Sequence, residues 1–183
     1  YIDRELLLSS IRTAPEQFTL RARNPNHNRI IGGNNINFAS QAGVVYVTDV
    51  ERGRRNGSIE DFENFVKLSQ VSPVMHFAAE QCIVTAEIQP SLRHLHRIPR
   101  LFSMTDKALN VAAHGRVIST DSIEMARLVF GDPLPEDPVI VGVINASSPL
   151  RYDERMLGAM ITFARAGQAL IITPFILAGA MSP

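Results

Sequence analysis

The sequence has few of the residues and runs that mark several common classes of protein. Its one cysteine, Cys82, excludes an intramolecular disulfide and a cysteine metal cluster, and it suits a reducing compartment such as the cytoplasm. Lys and Arg number 18, as do Asp and Glu, and no basic run is longer than the pair Arg54 and Arg55. We therefore expect no nucleic-acid partner. No apolar stretch reaches the roughly 18 residues that span a bilayer, so we expect no membrane segment either.

The familiar signatures of several enzyme classes are also missing. We find no G-x-G-x-x-G and no G-x-x-x-x-G-K-[ST] for nucleotides, no H-E-x-x-H for zinc and no G-x-S-x-G for a serine nucleophile. His94 and His96 are two residues apart, so on a helix they do not share a face. We expect them to be poor zinc ligands that lie at the surface, and we expect no metal site.

What the sequence does contain is a regular alternation of strand-like and helix-like segments. The chain of 183 residues is 45% hydrophobic, enough for a buried core. Apolar runs begin near residues 73, 107, 139 and 169, roughly 30 residues apart, with helical patterns over 91–104, 121–130 and 153–166 between them. Asp153 is placed to cap the last helix, and Asp121 and Glu124 have capping-box spacing. This alternation predicts an α/β fold with a parallel sheet.

Two architectures contain such a sheet: an open doubly wound sheet and the first half of a (β/α)8 TIM barrel, which typically needs about 250 residues. Without a nucleotide motif we favour the barrel. Residues 71–183 would form its first βα units. Residues 1–70 would form an N-terminal extension with a helix over 1–13, a β-hairpin of 29–31 with 36–39, and a helix over 59–69 capped by Ser58.

Both ends of the chain look cut, so we expect a fragment of a longer protein. Half a barrel leaves strand edges unpaired, and the isolated piece should dimerise, aggregate or depend on the missing half. Whether the intact protein is a homo-oligomer is left open.

Reactive side chains of such barrels follow the strands, where the carboxyl ends meet at one edge of the sheet. We therefore expect a substrate-binding pocket there. Its candidate residues are Glu80, His114, Asn145, Ser147, Thr173 and Phe175.

Two further residues bear on the class of reaction. We predict that Cys82 is a buried thiol and not a nucleophile. Lys107 is the one lysine near a strand, and a Schiff-base lyase would need it at the strand's carboxyl end. The residues alone thus predict a fold and a pocket, but no reaction and no catalytic residue.

Three blocks of sequence resemble the trimethylamine methyltransferase family. They are G-V-V-Y-V-T-D-V-E-R-G-R-R-N-G-S-I-E-D at 43–61, S-I-E-M-A-R-L-V-F-G at 122–131, and the stretch 145–183 with S-P-L-R-Y-D-E-R-M-L and I-T-P-F-I-L-A-G-A-M-S-P. The resemblance covers most of the chain from about residue 30 onward. It implies a (β/α)8 barrel and a corrinoid-dependent methyltransferase, in a family whose members are much longer than this chain.

The family uses several methylated amines. Some members carry pyrrolysine and use trimethylamine, and others lack it and demethylate glycine betaine and related quaternary amines. The distinguishing position lies in the later half of the barrel. The resemblance supports Asn145, Ser147, Thr173 and Phe175 as pocket-lining residues, and gives no catalytic residue in this chain.

The implied reaction needs little acid–base chemistry. When a quaternary methylammonium loses its methyl group, a neutral amine leaves, so no general acid is required. The cobalt of a reduced corrinoid would accept the methyl group. The chain lacks D-x-H-x-x-G, which is associated with corrinoid-binding proteins, so it should bind no cofactor itself and meet the corrinoid on a partner protein. Aromatic faces and carboxylates suit a methylated cation, with Glu80, Phe77, Tyr152 and Phe175 as candidates. The alternatives are a non-enzymatic quaternary-amine binding module and a TIM-barrel lyase of another class.

Overall fold

The largest element is a parallel sheet of four strands. The computed structural model of the chain describes residues 2–146 and 151–174. The strands are β5 (Phe77–Ala79), β6 (Ala108–Val111), β7 (Ile140–Ala146) and β8 (Ala169–Pro174), and they pair side by side in chain order. All three pairings in this order are parallel. The prediction of an α/β fold with a parallel sheet is therefore confirmed.

Helices connect these strands and cover one face of the sheet. They are α2 (Ile59–Val71), α3 (Arg93–Met104), α4 (Arg116–Phe130) and α5 (Glu154–Arg165). Their apolar sides form one core with the sheet, which includes the fully buried Phe62, Ile98 and Phe163. The packing of α5 is close: a Cβ atom on Gly142 of β7 would lie 3.0 Å from the Phe163 ring. A larger residue at 142 would force the helix away from the strand.

Local side-chain chemistry explains where two of these helices begin. Ser58 and Asp61 form a capping box at α2, in which each side chain accepts from the other residue's backbone N–H. Asp153 caps α5 by accepting from the Met156 N–H at 2.7 Å. The capping box predicted at Asp121 is wrong, because α4 begins earlier, at Arg116. Asp121 lies inside that helix.

The first β-hairpin differs from the one expected. Strand β2 (Arg29–Gly32) pairs antiparallel with β1 (Gln17–Leu20), and residues 36–39 form no strand. The predicted pairing of 29–31 with 36–39 is therefore wrong. The physical reason is that β1 carries the buried Leu20 and the partly buried Phe18, which pack on the parallel sheet. After β2, the side chains of Asn35 and Asn37 donate hydrogen bonds back to Gln17 and to the Ile30 carbonyl of the hairpin.

A second hairpin, for which no strands were predicted, precedes α2. Strands β3 (Tyr46–Asp49) and β4 (Gly53–Asn56) pair antiparallel. Arg55 of β4 contacts Asp49 and Asp61, so this hairpin is fixed to the start of α2. The chain begins with helix α1 (Arg4–Arg12), none of whose residues is buried. No helix among the described residues is long and apolar enough to cross a membrane.

The sheet face opposite the helices is divided into an apolar part and a polar part. At the amino ends of the strands, Phe77, Ala108 and Val141 pack against Leu20 of the β1–β2 hairpin. Towards the carboxyl ends, the same face presents polar side chains to an open pocket. The hairpin thus covers the amino ends of the strands on this face, and the main pocket lies towards their carboxyl ends.

Candidate active site at the carboxyl ends of the parallel strands

The main pocket has a volume of about 680 Å³ and lies where the parallel strands end. Its walls come from β6, β7, β8, the start of α5 and the loop before β3. Most of its functional groups are uncharged and polar. The polar side chains that line it include Gln81, Asn110, His114, Asn145, Asp153 and Thr173.

Asn145 and Thr173 form the centre of the polar wall. They are register partners on the adjacent strands β7 and β8. The Thr173 hydroxyl donates to the Asn145 side-chain oxygen, so the amide N–H₂ of Asn145 is the group left to meet a ligand. The structure brings both residues to the pocket where the sequence placed them. Their role in substrate binding stays a prediction.

Asn110 is a pocket residue that sequence reasoning missed. It is the one polar residue of the strand A-L-N-V, on the face opposite the buried Leu109 and Val111. Strand alternation predicts that such a residue points away from the helices. A single Asn inside an apolar strand was therefore the sequence feature that could have predicted Asn110 as a pocket residue.

His114 follows β6 and is half-buried at the edge of the pocket. Burial lowers its pKa, and the positive charges of Arg155 and Arg97 lower it further. An imidazole whose pKa lies below 6.5 is neutral at pH 7. His114 therefore offers one donor and one acceptor nitrogen to a ligand, and no positive charge that would repel a cation.

Glu80 lies next to the pocket, but its side chain points elsewhere. It is fully buried, and its Oε1 lies 2.6 Å from a guanidinium nitrogen of Arg97. Burial raises the pKa of Glu80, and the Arg97 charge opposes this effect. The neighbouring Gln81 lines the pocket instead. The contact that the structure gives Glu80 is with Arg97, and a direct contact of Glu80 with substrate stays a prediction.

The aromatic candidates do not surround the pocket. Phe77 is buried under the β1–β2 hairpin, and Tyr152 is exposed without lining the main pocket. Ser147 and Phe175 lie outside the described residues. Among the described lining residues there is no Phe, Tyr or Trp, and the acidic one is Asp153.

Three other residues singled out from the sequence serve the fold. Lys107 precedes β6, at the edge opposite the pocket, where its Nζ donates to the backbone oxygens of residues 69, 72 and 75 at 2.7 Å each. Burial raises the pKa of Cys82 to about 12, so its thiol is protonated and unreactive at neutral pH. His94 is buried and bonds Asp121 at 2.8 Å, so the expectation that it lies at the surface is wrong.

Comparison with known proteins shows the family of the chain. The model of the trimethylamine methyltransferase family matches residues 1–183. The chain belongs to the trimethylamine methyltransferase family. It is also 40% identical, over 185 aligned residues, to a glycine betaine methyltransferase of Desulfitobacterium hafniense (strain Y51). That alignment covers 100% of this chain and 39% of the relative, so the chain spans about two fifths of the length of that protein. The resemblance seen in the sequence is thereby confirmed.

Proposed function

We propose that this chain is the leading part of a methyltransferase that moves a methyl group from a methylated amine to the cobalt of a corrinoid on a separate protein. The observation that carries the proposal is family membership over the whole chain, together with a polar pocket at the carboxyl ends of four parallel strands. We also propose that the sheet is the first half of a (β/α)8 barrel, in which 1–70 is an extension and 71–183 holds the first βα units.

The pocket suits a substrate that needs no proton transfer. The carbon–nitrogen bond of a quaternary ammonium would break with its electron pair remaining on nitrogen, so the leaving group is a tertiary amine with a neutral nitrogen and requires no general acid. The described lining contains a neutral histidine and two asparagines but no pair of carboxylates for acid–base work. Asn110 and Asn145 would orient the substrate, and Asp153 would favour its positive charge. The partner's reduced corrinoid would supply the nucleophile.

The structure weighs against the lyase alternative. A Schiff base requires an amine that can reach the pocket. Lys107 lies at the opposite edge of the sheet, with three backbone oxygens around its Nζ. A binding module without activity remains the alternative that an experiment must separate from an enzyme.

The test uses the intact protein with a partner that carries reduced corrinoid. Trimethylamine and glycine betaine are supplied in turn, methylation is followed by the visible absorbance of the corrinoid, and the demethylated amine is identified by mass spectrometry. We expect transfer from at least one of them, and a loss of about 10- to 100-fold in Asn145→Ala. Asn26→Ala, at an exposed turn far from the pocket, is the matched control. Tight amine binding with no transfer would instead favour the binding module.

A further inference from the structure

One wall of the main pocket comes from the chain between the two hairpins and not from the parallel sheet. Residues 39–42, which lie between β2 and β3, line the main pocket. Ser40 and Gln41 also line a mainly apolar pocket of about 440 Å³ beside α2. Open space therefore lies on both sides of this stretch, and its position depends on the contacts at its two ends. We call residues 38–43 the wall segment.

Backbone hydrogen bonds attach both ends of the wall segment to β5 and its neighbouring residues. At one end, the Phe38 carbonyl accepts from the backbone N–H groups of His76 at 2.9 Å and Phe77 at 3.1 Å. At the other end, the Gly43 N–H donates to the Gln81 carbonyl at 2.8 Å. The wall segment thus runs along the edge of β5 that does not pair with β6.

A side chain completes the attachment at Phe38. The Phe38 N–H donates to Nδ1 of His76 at 2.9 Å, and the two rings stack with their centres 5.8 Å apart. Because Nδ1 accepts a hydrogen bond, it carries no proton, and the imidazole is neutral with its proton on Nε2. Both backbone polar groups of Phe38 are therefore held by the same residue, His76.

The surroundings of His76 fix its backbone and keep its ring neutral. The buried Lys107 donates from Nζ to the Ser72 and Met75 carbonyls at 2.7 Å each, which holds the loop that leads to His76. The charged groups that act on the ring are Lys107 and Arg29 of β2, and no acidic residue that the structure describes is among them. Burial and these two cations lower the pKa of His76, so the ring is neutral at pH 7 and takes up a proton only in acid.

We propose that His76 is a positioning residue for the main pocket: its neutral ring holds the wall segment against β5, and protonation of the ring releases this segment. A protonated Nδ1 is a donor and would face the Phe38 N–H, which is also a donor. The wall of the pocket would then lose its side-chain attachment at Phe38, and ligand binding would weaken in acid. The part of the proposal that concerns a ligand rests on the proposed function.

Hydrogen exchange of the intact protein tests the attachment without any ligand. Exchange at pH 8 is followed by mass spectrometry on a peptide that contains Phe38. His76→Leu removes the acceptor and should speed the exchange of this peptide about fivefold, whereas His76→Asn places an amide oxygen near the position of Nδ1 and should restore slow exchange. His96→Leu, at an exposed position of α3, is the matched control and should change nothing. Equal melting temperatures check that the variants are folded.

Calorimetric titration at pH 5 and pH 8 tests the effect of protonation. The ligand is whichever of trimethylamine and glycine betaine donates its methyl group in the transfer experiment. We expect the loss of affinity from pH 8 to pH 5 to be about threefold to tenfold larger in the wild type than in His76→Asn, whose amide takes up no proton. His114 lines the pocket in both proteins, so the difference between them isolates His76.

Two results would overturn the proposal. One is a Phe38 peptide that exchanges as slowly in His76→Leu as in the wild type, and the other is an equal loss of affinity at pH 5 in the wild type and His76→Asn. If no methylated amine transfers its methyl group, the proposed function fails, while faster exchange in His76→Leu alone would still support the attachment through His76. Methyl transfer together with unchanged exchange in His76→Leu would do the reverse.

Discussion

The ion pair of Glu80 and Arg97 provides the sharpest test of how the chain folds around its pocket. The Glu80 side chain is fully buried and that of Arg97 is 9% exposed. Removing one partner of a buried pair leaves the other charge without compensation in a medium of low polarity. We expect Arg97→Met, which retains most of the side-chain volume, to lower the free energy of unfolding by about 3–5 kcal/mol at pH 8.

The two partners should not respond equally. Glu80→Gln leaves Arg97 without its acid, but Arg97 lines a pocket that water can enter. The remaining charge is then partly solvated, and we expect a smaller loss of about 1–3 kcal/mol. The double variant, Glu80→Gln with Arg97→Met, should be more stable than Arg97→Met alone, because no buried charge is left unpaired.

Acid should partly rescue the Arg97→Met variant. Burial already raises the pKa of Glu80, and loss of the arginine removes the main influence that lowers it. A carboxyl group whose pKa is higher in the folded state binds more protons when folded, so stability rises as pH falls from the folded pKa towards the unfolded value near 4.3. The defect should therefore be smaller at pH 5 than at pH 8.

Urea unfolding of the intact protein, followed by circular dichroism at both pH values, measures these differences. Arg100→Met on the same helix is the control, because its pair with Glu63 is about one third exposed. The reasoning is refuted if Arg97→Met unfolds at the same urea concentration as the wild type at pH 8. It is also refuted if the defect of this variant is the same at pH 5.

Three further predictions concern the packing that holds the sheet in place. Gly142→Ala should lower the free energy of unfolding by about 1–3 kcal/mol, since the new Cβ atom would press on Phe163. Thermal unfolding followed by circular dichroism checks this, and an unchanged melting midpoint would contradict the prediction. Lys107→Met should lower the free energy of unfolding by about 3 kcal/mol, because it leaves three backbone oxygens unpaired. Its control is Lys67→Met, a substitution at an exposed position of α2, which should change the free energy of unfolding little in the same urea experiment. Asp61→Ala should cost about 3 kcal/mol at pH 7, because it removes the α2 capping box and a partner of Arg55. Arg55 lowers the pKa of Asp61, so this contribution is fully present above the unfolded pKa near 3.9 and declines as pH falls from there through the lower folded pKa. A defect as large at pH 2 as at pH 7 would argue against this account.

Much of the site was predictable because its position depends on local patterns and on one general property of parallel sheets. The apolar runs that begin near 107, 139 and 169 are strands β6, β7 and β8. Polar residues that follow such strands meet at one edge, whatever the details of packing. His114, Asn145 and Thr173 accordingly line the same pocket, as the sequence indicated. Family membership was also visible from short blocks of residues.

Other features could not be predicted from residues that lie close together in the sequence. The partner of strand β2 was predicted wrongly, because β1 is held beside it by the burial of Leu20 on a sheet whose strands begin more than 50 residues later in the chain. Glu80 looked like a pocket residue, and only the position of Arg97 on α3 shows that its side chain turns towards the core. The pairing of His94 with Asp121 likewise joins two helices.

The sequence by itself thus determined the order of helices and strands from residue 59 onward, two helix caps and the edge of the sheet at which the main pocket lies. These depend on periodicity and on hydrogen bonds between residues a few positions apart. The tertiary structure decided which hairpin forms and which acid is buried with which base. These depend on contacts between residues distant in the chain, and the energy of such a contact exists only once the chain has folded.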